Sequence, residues 1–211
     1  MKNNNKKLLI YKILLVLLLI LAVIVIVLIV KKHKERQFYE EENKKVLQEF
    51  KEAIMVNDSE NVIDVENISE NQKETVIEFE GHNVIGIIKI PKINLEYPIL
   101  EETTKATLKI AISRYWGKDI NSFGNVSLAG HNNYDGTMFG KNKNLEIGDT
   151  IELTDLLNNT IEYEIYDIFS TDPNDVSILK TTNSEIREVT LITCTNGRKE
   201  RLIIKAHEKI N

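Results

Sequence analysis

From Ile13 to Val30 every side chain is apolar, an unbroken run of 18 residues. At about 1.5 Å per residue, a helix of that length nearly crosses a hydrocarbon core of roughly 30 Å. A helix apolar on all sides has no place on the surface of a water-soluble domain. The run extends back through Leu8, Leu9 and Ile10 if Lys12 carries its ammonium to the interface on its aliphatic stem. A cleaved signal peptide has a shorter apolar region followed by small residues, whereas Lys31, Lys32 and Lys34 follow this one. The expectation is therefore a retained single-pass transmembrane anchor over 13–30, with residues 1–12 as a cytoplasmic tail. Basic residues on the two flanks nearly balance. The acidic stretch after Arg36 makes the C-terminal flank the less basic one over a longer window, which favours placing that flank outside.

The rest of the 211 residues accommodates one domain of ordinary size. A formal net charge of −5 argues against a nucleic-acid partner, because phosphate affinity depends on concentrated Lys and Arg. The single cysteine, Cys194, cannot form an internal disulfide, so an exported domain has to rest on its core alone. Between Glu35 and Glu80 the composition turns to Glu, Asn, Asp and Lys without Pro or Gly. Phe38, Val46, Phe50 and Ile54 fall near helical spacing, which predicts an amphipathic helix over Gln37–Val56 and then an acidic, Asn-rich spacer from Asn57 to Asn71. Charge runs are usually solvated, so residues 31–80 read as a charged helical stalk and spacer rather than a partner-binding helix.

From Gly81 to Asn211 the texture is all-β. The predicted strands are Val84–Ile90, Ile93–Leu100, Lys109–Trp116, Asn125–Ala129, Asp149–Thr154, Thr160–Ile168, Glu188–Cys194 and Arg201–Ala206. They are rich in Ile, Val, Thr and Tyr and are separated by Gly, Asn, Asp or Pro. Eight short strands without long helical stretches between them predict a closed barrel or a sandwich rather than βα units. Short helices are expected in the loops at Thr103–Leu108, Phe139–Asn144 and Ser177–Ile186.

Two stretches of this domain carry reactive chemistry. In LAGHNNYDGTMFG, Leu128–Gly140, a strand ends at Ala129 and His131 emerges into a loop punctuated by glycines. A rigid strand followed by an accessible loop is a common mounting for a catalytic imidazole. A turn histidine bonded to nearby backbone is the plainer alternative. In TLITCTNGRKERLIIKA, Thr190–Ala206, Cys194 ends one strand, Asn196-Gly197 signals a turn, and Arg201 opens the next strand. If Asn196 and Gly197 form a two-residue type I′ turn, Cys194 faces Lys199 and Ile192 faces Arg201. Cys194 and Arg201 then share a face on a diagonal of roughly 7–8 Å, and Arg198 projects from the opposite face. A thiol has an unperturbed pKa near 8.5 and attacks as thiolate, which a neighbouring cation stabilises. A guanidinium can also bind the oxygen of a carbonyl as negative charge develops there. Taken singly, Cys194 could equally be a small buried hydrophobe and Arg201 a solvated strand charge.

Together these residues resemble a known family. LAGHNNYDGTMFG with His131, TLITC ending in Cys194, and Arg201 followed by Leu202, Ile203 and Ile204 are similar to the three active-site motifs of sortases. The resemblance covers roughly Val84 to Glu208. An N-terminal anchor with a polar stalk is also that family's layout, and the chain lies nearest the compact class A and class D types. The resemblance implies a closed eight-stranded sortase-type β-barrel over residues 81–211, held outside a Gram-positive cell. It implies a cysteine transpeptidase that cuts an LPxTG-like sorting signal between Thr and Gly and rejoins it to an amine. By that analogy Cys194 attacks and forms a thioester. His131 protonates the leaving amine and later deprotonates the incoming one, Arg201 steadies the carbonyl oxygen, and Thr193 helps bind substrate. The implied partners are surface proteins bearing sorting signals and a cell-wall precursor or pilin amine acceptor; the residues themselves point to no cofactor and no metal site. TDPNDVSIL, Thr171–Leu179, sits where the family places a wall of the sorting-motif groove.

A membrane-anchored cysteine protease that hydrolyses its acyl-enzyme uses the same Cys and His. It would usually orient the imidazole with Asn or Asp, where the matched third residue here is Arg. A non-enzymatic surface module with His82, His131, His207 and Cys194 around a metal lacks the short paired spacing of a zinc site.

Overall fold

A computed structural model of the chain describes residues 2–60, 77–181 and 183–210. The chain divides into two compact units, Met1–Glu41 and Glu42–Asn211. Helix α1, Lys2–Glu60, runs through the whole first unit and into the second. Its apolar side chains from Leu8 to Val30 are exposed, and it is long and apolar enough to cross a membrane. Beyond Glu60 the spacer expected over Asn57–Asn71 lies outside the described residues.

Alternation of β-branched side chains builds the second unit. After the two-residue strand β1, Glu78–Phe79, come β2 (His82–Ile90), β3 (Leu95–Leu100), β4 (Ile112–Trp116) and β5 (Gly124–Ala129). Strands β6 (Thr150–Asp155), β7 (Thr160–Thr171), β8 (Arg187–Thr195) and β9 (Glu200–Glu208) follow. The sheet order is β1-β2-β3-β4-β5-β8-β9-β7-β6, and pairing of β2 with β6 closes β2 to β9 into an eight-stranded barrel. Closure leaves no long unpaired edge among these strands, which is how an all-β domain avoids templating its own aggregation. Each predicted strand is present. The predicted start of the third, Lys109–Ile110, instead ends the short helix α2, Thr107–Ile110. Short 3-10 segments occupy Phe139–Asn144 and Ser177–Leu179, within two of the predicted helical loops.

Period-two alternation sends Ile88 and Ile90, Tyr97 and Ile99, Val126 and Leu128, Val189 and Leu191, and Ile204 and Ala206 into one interior cluster. A bulge in β7 between Ile165 and Asp167 shifts the parity of that strand. Ile168 therefore pairs with Ile204 and packs on the core, while Phe169 pairs with Ile203 and faces outward. Without the extra residue Phe169 would point into the barrel, and the outer face that receives Cys194 would lose an apolar neighbour.

The outer face of β3 shows what α1 does in this unit. Pro98 and Leu100 alternate with the inward Tyr97 and Ile99, yet both are buried. On the helix, Val46, Leu47, Phe50 and Ile54 are buried, Phe50 completely. Lys51 pairs with Glu96 of β3 at 2.6 Å, and Asn43 donates to the Ile110 carbonyl at 2.7 Å. The spacing read as the apolar face of a solvated stalk thus belongs, from Asn43 to Ile54, to a helix packed on the barrel. The reason is energetic: leaving a Phe and three aliphatic side chains in water forgoes about 2 kcal/mol apiece.

Candidate active site

The register of three adjacent strands assembles the site. β5 and β8 run parallel, paired from Gly124↔Arg187 to Ala129↔Ile192, and the ladder continues as Gly130 N–H donates to the Ile192 carbonyl at 3.2 Å. Carried two residues past Ala129, this register sets His131 beside Cys194. β8 and β9 are antiparallel, and Cys194 stands directly opposite Arg201. Cys194 and Arg201 are therefore paired across β8 and β9, and His131 opens the loop that leaves β5 alongside them. His131 is exposed, and Cys194 and Arg201 are half-buried at the rim.

The hairpin differs from the two-residue turn expected from Asn196-Gly197. Thr195 pairs with Glu200, so four residues, 196–199, make the loop, and Cys194 faces Arg201 rather than Lys199. Asn196, Gly197 and Arg198 all take positive φ, at 46°, 62° and 74°, which winds the chain through two more residues than a type I′ turn uses. Adding two residues preserves strand parity, so Arg201 keeps the Cys194 face and moves from the diagonal to the directly opposed position. Arg198 lies in the loop, and its carbonyl accepts from Arg201 Nη1 at 3.4 Å. The Glu200 carbonyl accepts from the same atom at 3.3 Å.

Two side chains carry the β5–β8 pairing past the point where backbone pairing stops. Thr193, buried, donates its hydroxyl to the Gly130 carbonyl at 2.7 Å. Asn132 donates its amide to the Cys194 carbonyl at 2.8 Å. The residues before and after His131 are thus each tied to the Cys194 segment, 63 and 62 positions away in the chain. Thr193 points away from the Cys194 face, as alternation demands.

The loop itself is held from within. Phe139 N–H donates to the His131 carbonyl at 3.0 Å, and Asp135 accepts from the Thr137 N–H and hydroxyl. A Cβ on Gly140 would lie 2.2 Å from the Asn133 carbonyl oxygen, so the loop closes only over glycine. Met138 has φ 49° and ψ −125°, a conformation costing a non-glycine residue about 1–3 kcal/mol. What holds it is Tyr97, whose hydroxyl reaches from the barrel interior and accepts the Met138 N–H at 3.1 Å.

Beside the paired Cys194 and Arg201, Ile192 and Ile203 share their face and pack with Phe169, Ile178 and Leu179. Thr171 pairs with Arg201 and donates to Asp175 at 2.6 Å. Hydrogen bonds from Ser177 and Thr171 hold the Asp175 carboxyl below its usual range. Asn132 and Tyr97 escaped the sequence reading, since an Asn in a Gly-rich loop and a Tyr in a strand carry no local mark of what they tie. Among the described residues no group of three or more His, Cys, Asp or Glu side chains is placed to hold a metal ion.

Comparison with known proteins converges on this barrel. Residues 88–209 match the family model described as "Sortase domain". The chain is 30% identical to Sortase A of Bacillus anthracis over 149 residues, 70% of this chain and 65% of that one. It is 37% identical to Sortase D of Bacillus subtilis over 112 residues, 52% of this chain and 53% of that one. It therefore spans just under two thirds of the first of these relatives and about half of the second. The solved structure of a Clostridium perfringens Sortase D5 transpeptidase superposes with a TM-score of 0.62 at 30% identity, covering 81% of this chain and 99% of that one. Because a family model matches more than half of the chain, and relatives and a solved barrel agree with it, the chain belongs to the sortase family.

Proposed function

We propose that this sortase is a membrane-anchored cysteine transpeptidase acting on an LPxTG-like sorting signal. The observation that supports the reading is the pairing of Cys194 with Arg201 on β8 and β9, with the loop that carries His131 leaving β5 beside them and tied to the Cys194 segment by Thr193 and Asn132. In this reading the Cys194 thiolate adds to the carbonyl carbon of the signal's Thr, and the carbonyl oxygen becomes an oxyanion facing the Arg201 guanidinium. The oxyanion collapses, the Thr–Gly C–N bond breaks, and His131 supplies the proton that the departing glycine amine needs. A thioester on Cys194 remains. An incoming amine of a cell-wall precursor or pilin attacks it, His131 takes the amine's proton, and the new amide leaves as Cys194 thiolate is restored. Arg, permanently charged, serves both the thiolate and the oxyanion without a proton of its own to lose. The proposed topology places residues 1–12 inside, 13–30 in the bilayer and the barrel outside, where sorting signals and amine acceptors meet.

The test is incubation of the detergent-solubilised chain with an LPxTG pentapeptide, with and without an amine acceptor, read by mass spectrometry. Transpeptidation predicts acceptor joined to the Thr carboxyl and a Cys194 thioester trapped at short times. Release of free acid alone, at the same rate with or without acceptor, would establish a hydrolase instead.

A further inference from the structure

We infer that Asn125 and Glu188 are positioning residues that fasten the Asp172–Thr181 segment over the outer face of the barrel and so set the peptide groove beside Cys194; this rests on the proposed peptide chemistry of the site. β5 and β8 are parallel neighbours, and Asn125 and Glu188 are direct partners in their register. Both point outward, since Val126 and Val189 next to them point into the core. Both are nevertheless buried, at 9% and 3% exposure.

The segment meets both of them there, joined at Glu188 by Tyr166 of β7. The Asn125 amide lies 3.2 Å from the Leu179 carbonyl and 3.4 Å from that of Ile178, while its own carbonyl accepts the Thr190 hydroxyl at 2.9 Å. One Glu188 oxygen accepts from Tyr166 at 3.2 Å, with the Tyr166 ring stacked on His207. The other lies 2.9 Å from the Thr181 hydroxyl. That hydroxyl also lies 3.0 Å from the Asn183 carbonyl, and the carboxylate is the stronger acceptor for its single proton. Of the segment's other bonds, that from the Thr171 hydroxyl to Asp175 at 2.6 Å ties its start to the end of β7, while those from Asn174 to Asp172 and from Ser177 to Asp175 are internal and shape it without fastening its far end. Its apolar contacts, Ile178 and Leu179 on Ile192, Ile203 and Phe169, are non-directional and would tolerate sliding. Directional bonds to a buried amide and carboxylate remove that freedom, because each shift leaves a buried polar group unpaired.

Ile192 stands four residues beyond Glu188 and Cys194 six, so the fastening acts roughly 20 Å from the thiol along the strand. It should govern how peptide is held and leave Cys194 itself alone. The experiment uses the detergent-solubilised full chain with Asn125→Ala, Glu188→Gln and Thr181→Val. The last alters only the segment and keeps the test valid if a strand variant fails to fold. Three quantities are measured: amide hydrogen exchange over Asp172–Thr181, KM and kcat with an LPxTG pentapeptide, and the rate of Cys194 alkylation by iodoacetamide. Exchange about tenfold faster in that segment, KM raised about tenfold, kcat within about twofold and unchanged alkylation are expected. Unchanged exchange in every folded variant overturns the fastening. Faster exchange with unchanged KM overturns its role in the groove. If the native chain processes no sorting peptide, the proposed function fails while the exchange result still decides the fastening.

Discussion

Replacing Thr193 by Val removes one hydroxyl at nearly constant volume, and the structure makes a definite forecast of the consequence. Thr193 is buried, and its hydroxyl is 2.7 Å from the carbonyl of Gly130, itself buried. The substitution leaves that carbonyl without its donor, at a cost of about 1–3 kcal/mol. At about 2–4 °C per kcal/mol for a unit of this size, the melting temperature should fall by roughly 2–12 °C, with the barrel still folded. The larger effect is expected in turnover. Gly130 directly precedes His131, and a misplacement of about 1 Å at a proton-transferring group can cost on the order of 100-fold. Thr193→Val should therefore lower kcat steeply with little change in KM, and Thr193→Ser, which keeps the hydroxyl, should restore most of it. The assay is steady-state cleavage of an LPxTG pentapeptide beside a thermal melt. A raised KM with unaltered kcat and melting temperature would refute the brace and make Thr193 a substrate contact, the role its family motif implies.

Three further outcomes follow from the geometry. Arg201→Ala should lose about 10²–10³ in kcat and Arg198→Ala far less, because only Arg201 stands opposite Cys194; equal losses in the peptide assay would mean the hairpin acts as a unit. Phe50→Ala should cost about 3–5 kcal/mol and lower the melting temperature by on the order of 10 °C, whereas a shift within error would place the helix in solvent. The Asp175 carboxyl is held below its usual range by Ser177 and Thr171, so its stabilisation is complete above the ordinary aspartate pKa and is lost as pH falls through the lowered one. Hydrogen exchange near Asp172–Thr181, compared at pH values on either side of the ordinary aspartate pKa, should accelerate relative to the barrel strands only on the acid side, and Asp175→Asn should abolish that difference.

How far these features can be read from the chain depends on the range of the interactions that create them. The apolar run Ile13–Val30 and the eight barrel strands were legible, because each follows from a period of neighbouring side chains. The shared face of Cys194 and Arg201 was legible too, although the turn was misjudged: parity survives the insertion of two residues, while the partner assignment does not. Docking of Phe50 was half legible, since helical spacing reveals an apolar face but not what covers it.

The meeting of the His131 loop with the Cys194 strand is different in kind. It depends on β5 lying parallel to β8 across a crossover of more than fifty residues, in a register that no local period encodes. That register is set by inward side chains of both strands packing into one interior, Val126 and Leu128 beside Val189 and Leu191. The ties that extend it, Thr193 to Gly130 and Asn132 to Cys194, exist only once that packing has brought the two segments together. The sequence by itself determined the long apolar helix, the strands and the reactive residue types, because those are properties of neighbours along the chain. Only the tertiary structure decided that the loop bearing the histidine leaves its strand beside the paired cysteine and arginine, because that requires distant strands to share a core.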